Sequence, residues 1–410
     1  MQFLRLAARL LLEYSARTRT IKRQIGRLAE HMELSVSVVV AYREVILFPA
    51  GRLSCTVQVP ELRLNAALNL LTARVFDDFC ADRIDVQEGI ARLEGIARAP
   101  SEYGRWLLAL LFGLGASALA WILRADWGAI AVTGVASALG LLARKELGKR
   151  HAVFFFLPFA AALIGGLLGG IAIRAGWTGT PGICLIVPAL MLVPGPHLIH
   201  TVQEMLENQM QAAVARLGLA ATILVSASLG VLVGVRMTIG AMGHVVTPSP
   251  ATQLTLPLDM LLAGIAACAF AVFYNTPWRV LWITVLCGSS GHGIRFMSME
   301  HGLSQVAATF LACLFIGLAA MAAASKFRLP FATVAFAAAV SMMPGLFIYE
   351  SFAGALRISA EGRGADPAFV AASLTLFVQA GFIVGAMAVG LLLGAWVGEL
   401  IHSRKEAEVQ

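Results

Sequence analysis

Two proline–glycine pairs carry the strongest chemical signal in this 410-residue chain, Pro194-Gly195 and Pro344-Gly345. Each closes a short apolar run that also opens with proline: PGICLIVPALMLVPGPHLIH over residues 181–200 and PFATVAFAAAVSMMPGLFIYE over residues 330–350. Twelve residues separate the prolines of the first run and thirteen those of the second, about 18–20 Å of helix at ~1.5 Å per residue. A hydrocarbon core is ~30 Å thick, so each run stops part-way across. Backbone left open at that depth is tolerated only inside protein or along a wet cavity. Freed amides there can hold a carboxylate and freed carbonyls a cation. A pair that only marked a tight surface turn would have no reason to recur in register after two helices that are both too short.

The side chains around the breaks add titratable groups. His200 and Glu350 each lie six residues beyond their proline and read as a proton- or substrate-coupling pair, since both can change charge when partly buried. His197 shares a helical face with His200, but two imidazoles alone do not complete a metal site. The expected substrate-binding set is Pro194, Gly195, His197, His200, Pro344, Gly345, Tyr349 and Glu350. Coupling candidates are His200, Glu350 and Glu204, with no catalytic residue, metal or cofactor. Glu204 and Glu207 continue a polar helix, His197–Ala215, which either lines an inner mouth or lies on the membrane surface. Asp259, just after Pro257, reads as a helix-start acid, with an outer gate as the alternative. Arg236 and Arg279 end or start spans, where arginines reach for headgroups unless they meet a substrate carboxylate. Gly165-Gly166 and Gly169-Gly170 form a small-residue stripe suited to close helix packing.

The elements that must position these residues follow from composition. The chain is 59% hydrophobic and 13% charged, against ~25% charged in soluble domains. Residues 1–105 hold 27 charged side chains and the remaining 305 hold 28, which puts a boundary near Ala99-Pro100. Before it, helices are expected over Phe3–Glu13, Thr18–His31, Leu62–Phe79 and Val86–Ala97, with strands over Leu34–Ala41, Val45–Phe48 and Leu53–Val59. After it come ten apolar segments: Trp106–Leu123, Trp127–Leu142, Val153–Ile173, Gly182–Val193, Leu217–Ile239, Leu258–Phe273, Val280–Ser290, Val306–Ala324, Phe331–Met343 and Phe369–Leu400. The fold class is therefore an α-helical polytopic membrane protein, with about ten transmembrane helices as two inverted five-helix repeats. A small α/β cytoplasmic domain precedes them. The domains are 1–100, 101–240 for the first repeat and 241–410 for the second. Each Pro-Gly follows the fourth segment of five, and an odd count inverts the second copy.

Charge sets the orientation. With the N-terminal domain inside, the inner loops hold Arg144, Lys145, Lys149, Arg150, Arg216, Arg279, Lys326, Arg328, Arg404 and Lys405, and the outer loops have no lysine. Both termini are then cytoplasmic. Cys55, Cys80, Cys184, Cys268, Cys287 and Cys313 show no paired spacing, and Met1–Arg9 lacks the apolar core of a cleaved signal peptide. The N-terminal region has one histidine, His31, and neither a phosphate loop nor paired carboxylates, so no enzyme is expected. The even split of the +7 net charge gives no sign of nucleic-acid binding.

This order of parts, with LVPGPHLIHTVQEML closing the first five segments and SMMPGLFIYE in the second, resembles the threonine/serine exporter family over about residues 5–400. The resemblance implies efflux of threonine and serine driven by an ion-motive force. It also covers a split two-subunit form linked to succinate export, fused here in one chain. The family positions that match are Pro194, Gly195, Pro344 and Gly345. The stretch Glu13-Tyr14-Ser15-Ala16-Arg17 departs from a Ser-Gly-Ala-like turn followed by an acid, lacking both the glycine and the acid. The expected activity is proton-driven export of small amino acids across a bacterial inner membrane. A dicarboxylate exporter is the alternative and a membrane-anchored sensor the distant one, and a channel also stays open. The expected partners are a small-molecule substrate and the lipid bilayer; a homo-oligomer stays open.

Overall fold

The computed structural model describes residues 1–51, 53–60, 62–240, 253–327 and 329–409, with side chains throughout except those of 356 and 402–409. Arg328, the side chains of Arg404 and Lys405, and the start of the expected second repeat lie outside the described residues.

Residues 2–98 form the mixed helix and strand pattern their sequence suggests. Helices α1 (Gln2–Glu13) and α2 (Thr18–His31) turn their apolar stripes inward, burying Phe3, Leu4, Leu10, Ile21, Ile25 and Leu28. The strands β1 (Val36–Ala41), β2 (Glu44–Pro49) and β3 (Cys55–Gln58) make an antiparallel sheet in chain order, with Val38 opposite Leu47 and Val45 opposite Val57. Val45 and Leu47 face in while Phe48 faces out, the alternation a half-covered sheet requires. Helices α3 (Ala66–Cys80) and α4 (Val86–Arg98) start where Asn65 and Asp85 accept amide hydrogens from Leu68 and Glu88. One core joins all of these through Phe3, Leu47, Phe76 and Leu93.

The rest of the described chain is helical: α5 (Arg105–Ile122), α6 (Trp127–Lys149), α7 (Phe156–Arg174), α8 (Pro181–Leu190), α9 (Gly195–Leu206), α10 (Met210–Thr238), α11 (Leu256–Phe273), α12 (Leu281–Glu300), α13 (Gln305–Phe327), α14 (Phe331–Ala339), α15 (Gly345–Glu361) and α16 (Pro367–Val409). All ten apolar segments fall on these helices. Among the described residues, seven helices are long and apolar enough to cross a membrane, or up to nine if each bent pair, α8 with α9 and α14 with α15, is one span. The segment left over, Val280–Ser290, is on α12, 20 residues long but more polar than those spans. It runs as helix straight through Ser289-Ser290, where the sequence suggested an end, because Gly288, Gly291 and Gly293 sit close under neighbouring helices instead of breaking the turn.

The packing recurs in the two halves. α5 packs on α6 as α11 does on α12, α7 on α10 as α13 does on α16, and α8 on α6 and α7 as α14 does on α12 and α13. Glycines let the third and fifth helices of each half touch: Gly230 and Gly234 of α10 lie on α7, and Gly390 and Gly394 of α16 lie on α13. Gly166 and Gly170 of α7 take the reciprocal contacts with α10, while Gly165 and Gly169 seat α8. The first helices of the halves end alike. Arg124 and Asn275 adopt left-handed φ angles of 63° and 56°, and an exposed tryptophan, Trp127 or Trp278, follows three residues later. α5 packs directly against α11 and so joins the halves.

The polar helix expected over His197–Ala215 is two helices. α9 ends at Leu206, and Asn208 turns the chain with a φ of 56° before α10 begins.

Candidate functional site

The two breaks share a backbone device. Pro194 (φ −78°, ψ 60°) and Pro344 (φ −78°, ψ 45°) each stand at the N-cap of the helix that follows. Their carbonyls accept the amides of Leu198 (3.1 Å) and Ile348 (3.0 Å). The chain bends by 65° at the first break and 59° at the second.

The breaks meet each other, glycine against the residues that precede the other proline. A Cβ on Gly195 would lie 3.0 Å from Met343 Cε. A Cβ on Gly345 would run into Leu190 and come within 3.4 Å of Val193 Cγ2. Glycine is needed at both because the opposite chain occupies the space a side chain would take. Between them is a cavity of ≈ 20 Å³ lined by Leu119, Leu190, Val193, Gly195, Phe270, Val340, Ser341 and Met343. Most of these come in matched pairs: Leu119 and Phe270 each precede the left-handed end of their helix by five residues, and Leu190 and Val340 each precede their proline by four. The cavity has room for about one water, so the breaks are closed on each other here. A wider groove of ≈ 410 Å³, lined by Arg105, Trp106, Lys145 and Lys149, lies at the α5 start and α6 end, and its basic rim suits lipid headgroups rather than a transport path.

The expected polar residues distribute around this junction. Pro194, Gly195, Pro344 and Gly345 are all buried there. His200 is buried edge-on against Phe336 of α14, ring centroids 4.6 Å apart, with Nδ1 lacking a partner. His197 is half-buried and its Nδ1 also lacks one. Tyr349 is buried with its hydroxyl unpartnered, and Glu350 beside it is half-buried. No hydrogen bond or ion pair joins His200 to Glu350. Ser341 was not anticipated: its buried Oγ has no partner and it lines the cavity. A serine three residues before a Pro-Gly break was a usable signal.

Glu204 corrects the sequence reading. Of the two readings of its helix, inner mouth or membrane surface, the second fails because the Glu204 side chain is fully buried, paired with Arg216 of α10 at 3.3 Å. It also accepts Thr18 N (3.1 Å) and Thr18 Oγ1 (2.9 Å) from the start of α2. Arg216 donates to Ala16 O (3.0 Å), Arg17 pairs with Glu207 (3.0 Å), and Lys22 donates to Gln209 (3.2 Å). The turn between α1 and α2, where the sequence departs from the family pattern, is thus the piece that clasps the end of the broken helix. Ser15 takes the left-handed φ of 59° there without a glycine. A second clasp lies on the other half: Asn275 bonds Asn65, Ser101 and the Glu102 amide, while the Tyr274 and Asn275 carbonyls accept the Ala66 and Ala67 amides.

Asp126 fixes the start of α8. It caps α6 through the Ala129 amide and accepts from Thr178 Oγ1, Gly179 N, Thr180 N and Thr180 Oγ1 at 2.7–2.8 Å. Partial burial pushes its carboxyl up, but the Ala129 bond and those from Thr180, Thr178 and Gly179 win and hold it down at about 2.

Asp259 does lie in the first turn of α11, and it is also paired with His292 of α12, which sequence reading missed. A lone histidine among glycines and serines in an apolar helix was the available signal. Arg236 and Arg279 are exposed, Arg279 lying 5.5 Å over the Trp278 ring. Among the described residues no three His, Cys, Asp or Glu side chains group to hold a metal ion.

Many apolar helices, with two broken ones meeting in the interior, define a multi-pass membrane protein built for transport. Residues 2–238 match the family model described as "Putative threonine/serine exporter", and residues 259–397 match that described as "Threonine/Serine exporter, ThrE". The chain belongs to the threonine/serine exporter family, whose members are transporters rather than enzymes. No solved structure matches it.

Proposed function

We propose that the chain is a secondary-active exporter of threonine and serine, driven by the proton motive force across a bacterial inner membrane, with both termini cytoplasmic. The observation that carries this reading is the reciprocal seating of the two Pro-Gly breaks, Gly195 on Met343 and Gly345 on Leu190. Separating them would free the first amides of α9 and α15 for an amino-acid carboxylate. In this reading Glu350, beyond the second break, would meet the ammonium, and Ser341 a substrate hydroxyl. The matched packing of the halves, five helices each, supports repeats of opposite orientation that alternate access by rocking about this junction. The N-terminal clasp to both the α9–α10 turn and the α11–α12 turn supports one common side for those turns, the side where the basic loops fall. The outward positions of Arg236 and Arg279 support an amino acid over a dicarboxylate.

Counterflow in proteoliposomes with labelled threonine, serine and succinate tests the reading. Exchange of threonine or serine is the expected result. Exchange of succinate alone moves the assignment to dicarboxylate export, and silence on all three in sealed vesicles of folded protein returns it to a membrane-anchored sensor.

A further inference from the structure

We propose that Asp259 and His292 form the proton-carrying site of the transport cycle, a buried acid–imidazole pair between α11 and α12 that is separate from the breaks. The inference rests on the proton-driven exporter reading and adds the place where the driving ion binds.

The pair is short and dry. His292 Nδ1 lies 2.5 Å from Asp259 Oδ2, and the two side chains are 3% and 1% exposed. Ionisable groups inside a membrane protein are costly, so a pinning contact between two helices has cheaper apolar solutions. With Nδ1 tied to the carboxylate, Nε2 is the nitrogen that can gain or lose a proton, and it is buried without any partner. The proton adds to the Nε2 lone pair from water on one side of the membrane and returns to water on the other, while the Nδ1–H donor to Asp259 stays in place.

The surrounding charges make that proton count. On α12, Arg295 follows His292 by three residues and so shares its side of the helix, and its Nε donates to Thr309 Oγ1 of α13 at 3.2 Å. α14 carries no titratable residue and α5 has only Arg105, at its first position. Asp259 and Arg295 bring one carboxylate and one guanidinium to the two helices, and a proton on the imidazole adds a further positive charge in a low-dielectric interior.

The helices that bear the pair also reach the breaks. α11 carries Asp259 in its first turn and Phe270, a cavity-lining residue, about 16 Å further along at ~1.5 Å per residue. α12 is seated on α11 by Gly293 against Met260 and by Ser289 Oγ donating to the Met260 carbonyl at 2.6 Å. Its Gly288 lies under Ala338 of α14, two residues before the cavity wall at Val340. A shift of α11 against α12 on protonation has a packed route to the second break.

His292→Asn is the decisive variant, since its amide still donates to Asp259 but has no titrating nitrogen. In reconstituted full-length protein, threonine or serine counterflow is expected within about 3-fold of wild type, while stimulation of net movement by an imposed pH gradient is lost. Retained stimulation in the variant, or wild-type exchange that never responds to a pH gradient, overturns the inference. A second readout does not depend on the substrate. In ¹⁵N-histidine NMR of the wild type, the signal missing from His292→Asn is expected to differ between acid and alkaline samples. An identical signal in both overturns the inference. If His292→Asn fails to fold, Asp259→Asn identifies the same signal by shifting its titration. Should His292 titrate while neither amino acid exchanges, the substrate reading fails and the proton site stands.

Discussion

Beyond their breaks the two bent helices part company. α9 runs 12 residues past Pro194 and ends in a clasp, with Glu204 buried between Arg216 and Thr18 and Glu207 paired with Arg17. α15 runs 17 residues past Pro344, and near its end Arg357 pairs with Glu361 and lies 4.4 Å over the ring of Phe369 in α16. The same backbone device is thus moored to the N-terminal region in one half and to α16 in the other. The backbone device is duplicated, while its anchoring partner is not. That division suits a machine whose two halves share a junction, both held by the N-terminal region, with the end of only the first broken helix among the described residues tied to its α1–α2 turn.

The largest effects should come from the glycines. Gly345→Leu is expected to cut counterflow by up to about 100-fold in folded protein, because overpacking against Leu190 and Val193 costs up to ~3 kcal/mol and each 1.4 kcal/mol is tenfold. Gly195→Ala should be milder than Gly345→Ala, since its Cβ meets only the flexible end of Met343. Equal tolerance of both would show that the breaks do not work against each other.

The clasp ranks next and is read in stability. Arg216→Ala leaves Glu204 buried without its countercharge and should cost about 3–5 kcal/mol, seen as a lowered thermal midpoint in detergent. Replacing both, Arg216→Met with Glu204→Leu, should recover much of that loss. Glu207→Ala, at the rim, should cost under about 1 kcal/mol.

Asp126→Asn should cost about 1 kcal/mol as a lost cap charge. Its sign with pH is fixed. The folded carboxyl sits at about 2 against an ordinary 3.8, so the carboxylate stabilises above the ordinary value and that support is lost as pH falls from 3.8 through 2. Acid denaturation curves of the wild type should show this limb, and those of the variant should lack it. The last effect is a gain. Ser15→Gly relieves a left-handed serine and should raise stability by about 1 kcal/mol, unless the α1–α2 turn owes its shape to the clasp alone.

Much of this was legible in local patterns. The amphipathic spacing of Ile21, Ile25 and Leu28 and the β-branched run at Val36–Val40 place α2 and β1 within a residue or two, because periodicity records which face is buried. The Pro-Gly breaks are equally visible, since proline removes a ladder hydrogen bond wherever it sits in a helix. Glu204 was misplaced for a definite reason: a glutamate beyond an apolar run looks solvated until a distant arginine and threonine enclose it. His292 escaped notice because its partner stands 33 positions away on another helix.

The sequence by itself determined the helices, their apolar faces, the two interruptions and the family, all consequences of hydrophobic burial and backbone sterics within short stretches of chain. Tertiary structure alone decided that the interruptions seat each other, that the α1–α2 turn clasps α9, and that Asp259 finds His292. Those pairings bring together groups from separate helices. Their energies come from mutual exclusion of water and matched charge, which no single segment possesses until the helices pack.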